Sequence, residues 1–217
     1  MKQSNITRAF IHIERDMMNS PFYTKKELTI SGFNSIGYNV KISRKVSLYE
    51  IDGSIGNNVR VDDYCILKGR IKLGSYVHIA AFCLISGVRG VVRINNCSTI
   101  SSGVHIYTGS DDYSANMLSS SAVPKSLVRT IEGDVELGTG SIVGAHSLLL
   151  PDTFIREGAS IGAQCIVHGD VPRGAVIVNK GAKGKIVGKR DWRRIVDLAE
   201  LLLKNNDVKG ISKTARE

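Results

Sequence analysis

Aliphatic residues return at every sixth position along most of this chain. Written in sixes, it reads "IGYNVK ISRKVS", "IGNNVR VDDYCI", "LGSYVH IAAFCL", "INNCST ISSGVH IYTGSD", and later "LGTGSI VGAHSL LLPDTF IREGAS IGAQCI VHGDVP". Position one is Ile, Leu or Val, position two is often Gly or Ala, and position five is mostly Val, Ser, Thr, Ala or Cys. A six-residue spacing drifts around an α-helix and marks no single face of it. It suits a parallel β-helix, in which each hexapeptide supplies a short strand and a corner. Position-one side chains then stack inside, small position-five residues let the walls approach, and Gly or Asn relieves the corners. Each coil covers an edge of the last, so both ends need caps.

The beat fails once, across "GVHIYTGSDDYSANMLSSSAVPKSLVRT" (residues 103–130), and a loop over residues 109–133 is expected to leave the coil. Both caps are legible. Thr24 with Glu27 three residues on is a capping box for a short helix. Asp191 is the N-cap of a second helix that places Trp192, Ile195, Val196, Ala199 and Leu202 on one face, folded back on the last coil. The expected layout is a cap segment over residues 1–34, a β-helix over 35–178, and a basic loop, helix and frayed tail over 179–217.

Length and composition add limits. The 217 residues suit one domain. No apolar run reaches the roughly 18 residues of a transmembrane helix, and the first twenty residues lack a secretory pattern, so a soluble cytoplasmic protein without membrane insertion is expected. The net charge of +9 concentrates in "KGAKGKIVGKRDWRR" (residues 180–194), where seven Lys and Arg face one Asp. Only Trp192 interleaves there, which favours a small phosphate-bearing ligand over nucleic acid. Cys65, Cys83 and Cys165 all occupy position five and read as core filler. With Cys97 they show no CxxC spacing and no expected disulfide.

With its segments "FYTKKELTISGFNSIG", "IGNNVRVDDYCIL", "YVHIAAF" and "SSGVHIYTGSDDYSA", the chain resembles the hexapeptide-repeat acyltransferases. More narrowly it is similar to bacterial sugar O-acetyltransferases of the galactoside and maltose type from surface-polysaccharide pathways. The resemblance implies a mainly β, left-handed parallel β-helix, a homotrimer, and acetyl-CoA as donor in the groove between chains, with no metal. It implies acetyl transfer to a saccharide hydroxyl by direct attack. The alternative is N-acetylation of a nucleotide-linked amino sugar.

In the galactoside enzymes a catalytic His sits in a "TGHP"-like stretch of the loop. Here Asp111 stands at that place, and no His lies between residues 106 and 145. The expected catalytic pair is Asp111 with His78 of a neighbouring chain, with Asp112, Tyr113 and His105 binding the acceptor. A hydroxyl needs a base to become a nucleophile, whereas an unprotonated amine attacks unaided. The missing His therefore strengthens the amine alternative. The corners at Gly144, Ala145, Gly162 and Ala163 stack one coil apart and suit the pantetheine track. "NKGAKGK" replaces the family's "GNPAK"-like loop and leaves Lys180 and Lys183 for the phosphates of CoA. His146 and His168 read as structural or near that track, and His12 is uninformative. A zinc enzyme of the carbonic anhydrase type would need three converging His, and His78 and His105 have no near neighbour. A non-catalytic scaffold is the remaining rival.

Overall fold

In a computed structural model, which describes residues 20–114, 117–119, 122–180 and 183–205, the six-residue pattern becomes a three-faced parallel β-helix. Short strands at Lys41–Ile42, Arg60–Val61, His78–Ile79, Thr99–Ile100, Ile142–Val143 and Ser160–Ile161 pair in parallel from coil to coil and build the first face. Longer strands at Ser47–Ile55, Ile66–Leu73, Leu84–Ile94 and Leu148–Ile155 turn an edge and carry the second and third faces. Position-one residues form the interior: Ile42, Val61, Ile79, Ile100 and Val143 are fully buried in one stack, Leu67, Ile85, Ile106 and Leu149 in the next. Each such burial is worth about 1.5–3 kcal/mol, so the core repeats its stabilisation coil by coil.

Position five is inward as well, and Cys65, Cys83 and Cys165 are buried there as free thiols. Ser98 and Ser147 take equivalent places and satisfy their hydroxyls by donating to the carbonyls of Gly138 and Gly162, both at 2.9 Å. Position four is where the chain turns, with φ near +60°. At one edge it is filled by Asn39, Asn58, Tyr76 and Cys97, then by Gly140, Gly158 and Gly174; at the next edge by Tyr64, Phe82, Gly103, His146 and Gln164. The expectation of Gly or Asn at the corners thus holds only in part. Outward side chains such as Tyr64 and Phe82, stacked at 5.2 Å between ring centroids, are tolerated because the coil stack fixes the backbone.

The ends are closed differently. Helix α1 (Lys25–Ile30) has the capping box of Thr24 and Glu27. Arg44 adds a 2.8 Å ion pair to Glu27. The Arg44 hydrogen bond, followed by those from Thr24, lowers the Glu27 pKa to about 2. Leu28 of the helix and Phe33 just after it plug the first coil. At the far end Ala175–Lys180 pairs antiparallel with Lys183–Lys189. Helix α2 (Trp192–Lys204) follows, with the Asp191 carboxylate accepting the Arg194 N–H at 3.2 Å. It lies on the glycine stretch of the corner column: Trp192 abuts Gly158 and Gly174, and Ile195 abuts Gly140. Ala199 is buried, and Leu202 at the outer end of the same face is 38% exposed. His12 and the tail beyond Asn205 lie outside the described residues. Among those residues no helix is long and apolar enough to cross a membrane.

Candidate active site

Two departures from the coil period meet on the second face. An ordinary coil repeats after 18 residues. From Ile79 to Ile100 the repeat takes 21, and the register slips so that Gly69 pairs with Gly87 but Arg70 with Val91. Val88, Arg89 and Gly90 are the extra residues, a bulge that sequence reading passed over because its surroundings stay aliphatic. From Ile100 to Val143 the repeat takes 43 residues, and the surplus forms an arm. Its two strands, Gly109–Asp111 and Thr130–Glu132, pair antiparallel.

Bulge and arm are tied to each other. Buried Thr108 donates its hydroxyl to the Ser86 carbonyl at 2.9 Å and accepts the Arg89 N–H at 3.1 Å. Its own carbonyl accepts the Gly133 N–H at 3.0 Å, which closes the base of the arm. Asp134 accepts the Val91 N–H at 2.8 Å and pairs with Arg93 at 2.7 Å. Those bonds, Arg93 first, hold its carboxyl below the usual range. The Arg89 stem covers Gly109, where a Cβ would lie 2.5 Å from the arginine Cγ.

Between arm and coil runs a groove of about 820 Å³. The coil contributes Lys68 and Tyr107 to it, the bulge Arg89, and the arm Asp111, Tyr113 and Lys125. A smaller hollow of about 410 Å³ lies beside it, between Phe82, Gly103, His105 and His146. His105 touches the Tyr107 ring edge-on, centroids 6.2 Å apart, so these two side chains separate the hollows.

Of the residues expected from sequence, Asp111 and Tyr113 line the groove and His105 its neighbour. Asp112 turns back into the arm tip: its carboxylate accepts the Ser114 N–H at 2.8 Å. Hydrogen bonds from Ser114, with Arg129 nearby, lower its pKa. His78 is elsewhere, on the first face, with Nε2 2.9 Å from Asp62 Oδ2. Asp62 also accepts from Arg60 at 2.6 Å. Burial opposes ionisation of that carboxyl, but the bonds to Arg60 and His78 prevail and its pKa falls. Asp111 and His78 are therefore not brought together within one chain. Two of the buried thiols are poor nucleophiles: the adjacent Cys65 thiol and burial push Cys83 up, and burial pushes Cys165 up, whereas the hydrogen bond with Cys83 lowers Cys65.

The corners at Gly144 and Gly162 stack as expected, and their N–H groups are committed to the carbonyls of Ile161 and Ile177, both at 2.7 Å. A Cβ on Gly144 would meet the Ala163 nitrogen at 2.5 Å, so coil stacking alone demands glycine there. The next residues differ. The N–H groups of Ala145 and Ala163, like those of Asp63, Ala81 and Ser102 on earlier coils, have no hydrogen-bond partner among the described residues. At the first edge the corresponding amides are capped: Tyr38 by the Asn57 side chain, Asn57 by Ser75, Ser75 by Asn96. One edge of the coil thus presents a ladder of free donors. Lys180 and Lys183 face each other where the terminal hairpin closes. Their side chains are outside the described set, and among the described residues no three His, Cys, Asp or Glu could hold a metal ion.

A family model for the bacterial transferase hexapeptide (six repeats) matches residues 52–87. The dTDP-4-amino-4,6-dideoxy-D-glucose acyltransferase of Escherichia coli is 40% identical over 176 residues, 79% of this chain and 90% of that protein. WbbJ of Escherichia coli (strain K12), named for lipopolysaccharide biosynthesis O-acetyl transfer, is 29% identical over 70% of this chain and 80% of its own length. The crystal structure of AntD, an N-acyltransferase from Bacillus cereus in complex with dTDP and 3-hydroxybutyryl-CoA, superposes with a TM-score of 0.79 at 37% identity. It covers 87% of this chain and all of AntD. Other AntD crystals hold dTDP-4-amino-4,6-dideoxyglucose with coenzyme A, and in several a serine or an aspartate has been replaced.

Proposed function

The chain belongs to the bacterial hexapeptide transferases, as an acyltransferase of sugars, and on that footing we propose that it moves an acyl group from coenzyme A to the amino group of a nucleotide-linked amino sugar. One observation carries the choice of an amine. The arm that walls the groove brings Asp111 to it and no histidine, and none occurs between residues 106 and 145. The similarity to dTDP-amino-sugar acyltransferases supports the same choice and displaces the expectation of a hydroxyl acceptor.

In this reading the amine nitrogen attacks the thioester carbonyl carbon, forming the C–N bond. The tetrahedral oxyanion collapses with cleavage of the C–S bond, and the nitrogen's proton leaves with the departing thiolate. Asp111 accepts a hydrogen bond from the amine and points its lone pair at the donor, a positioning effect more than proton removal. The free N–H groups of Ala145 and Ala163 suit the pantetheine amides and the oxyanion, and Lys180 and Lys183 the phosphates of CoA. Three copies around an axis, the arrangement implied by the resemblance, would turn His78, held by Asp62, toward a neighbour's arm. Acyl-CoA and a nucleotide-linked sugar as substrates suit a reaction in the cytoplasm.

The test is direct. Thiol release and product mass are followed with acetyl-CoA and 3-hydroxybutyryl-CoA against dTDP-4-amino-4,6-dideoxyglucose and against hydroxyl-only sugars. An N-acylated nucleotide sugar is expected. Turnover of hydroxyl acceptors with none of the amine would overturn the proposal.

A further inference from the structure

The groove gathers three cations against two carboxylates, Asp111 and Glu132. Lys68 comes from the coil wall, Arg89 from the bulge and Lys125 from the arm, three separate elements converging on one space. Lys68 and Lys125 make no ion pair among the described residues, and Arg89 reaches only a 3.5 Å contact with Glu132. Arg89 is also the one charged residue of the three-residue bulge, whose backbone is pinned by Thr108 on one side and Asp134 on the other. A fixed backbone and a stem packed on Gly109 aim that guanidinium rather than leaving it to wander. Arginine's fork suits phosphate oxygens, and lysines add point charge. At about 820 Å³ the space also exceeds what a single sugar ring fills and matches a larger ligand.

We infer that Arg89 and Lys68, with Lys125 closing from the arm, form the seat of the acceptor's diphosphate. The bulge is then the specificity element that makes the acceptor a nucleoside-diphosphate sugar. This rests on the nucleotide-linked reading above and adds an orientation to it. The diphosphate takes Lys68, Arg89 and Lys125, displacing the 3.5 Å contact of Arg89 with Glu132, and the amine lies at Asp111.

The experiment measures dTDP binding by calorimetry on the full chain, together with kcat and KM for the nucleotide-linked and the free amino sugar. Arg89→Met keeps the stem on Gly109 and removes the charge; Lys68→Met does the same on the coil wall. Lys72→Met, exposed on the third face, is the control. Each groove variant is expected to weaken dTDP about 10- to 30-fold, to raise KM more than it lowers kcat, and to cut the preference for the nucleotide-linked sugar by a similar factor. Arg89→Lys should recover part of the loss. If the parent binds dTDP and both groove variants bind it equally well, the seat is elsewhere while the nucleotide reading stands. If the parent binds no dTDP, both fall.

Discussion

Gly144 and Ala145 are adjacent, small and alike in sequence, yet the coil uses them differently. Gly144 faces the next coil, where a Cβ would sit 2.5 Å from a backbone nitrogen that has no room to move. Gly144→Ala should therefore cost about 1–3 kcal/mol, a drop of about 2–4 °C in Tm for each of those kcal/mol. Ala145 lies on the outer side, with its N–H unpaired. Ala145→Leu should leave the melting curve close to the parent's and raise KM for acyl-CoA at least about tenfold, by filling the track rather than breaking the coil. Thermal scans and steady-state kinetics on the two variants check this. Equal destabilisation by both would deny the division. The sequence showed that this corner is small but not which of its two residues is small for the coil's sake. Periodicity reports side-chain size, whereas the distinction depends on where each Cα–Cβ bond points.

At the level of elements, the N-terminal cap gives a pH-dependent expectation. The Glu27 pKa is depressed to about 2, so its contribution is complete above the ordinary value of 4.5 and is lost as pH falls through about 2. Glu27→Gln should lower Tm near neutral pH by about 2–4 °C, the worth of one cap. The gap to the parent should narrow between pH 4.5 and 2. Circular-dichroism melts at pH 7, 4 and 2 read it, and a gap that stays constant to pH 2 would refute the assignment. This cap was plain in the sequence because Thr24 and Glu27 are three residues apart and act locally. The arm was plain for the opposite reason, since so long an insertion destroys the beat. The bulge at Val88–Gly90 escaped notice: "LISGVRGVVRI" stays aliphatic on both sides, and three extra residues look like an imperfect repeat. Arg89, Lys68 and Lys125 were invisible as a group because only the fold brings them together.

For the whole molecule, the closed base of the arm separates folding from chemistry. The Thr108 carbonyl already holds the Gly133 N–H, and Val135 resumes the coil in register with Val92. Replacing residues 110–131 by two glycines should leave a folded β-helix, because shortening a loop costs little. Acyl transfer should disappear and dTDP affinity should fall. Size-exclusion chromatography, a melting curve and calorimetry distinguish that outcome from collapse of the coil, which would mean the arm supports the fold. The other end of the chain teaches something different. Nothing inside the coil says where it should stop, since Ile79, Ile100 and Val143 are equivalent neighbours that further copies could follow. The terminus is marked on the outside, where the corner column passes from Asn58, Tyr76 and Cys97 to Gly140, Gly158 and Gly174 and so clears a berth for α2. The rod's length is therefore an external measurement. Duplicating an interior coil would lengthen it without disturbing either end, whereas restoring side chains at the berth would set the helix adrift and leave the last coil open to further growth.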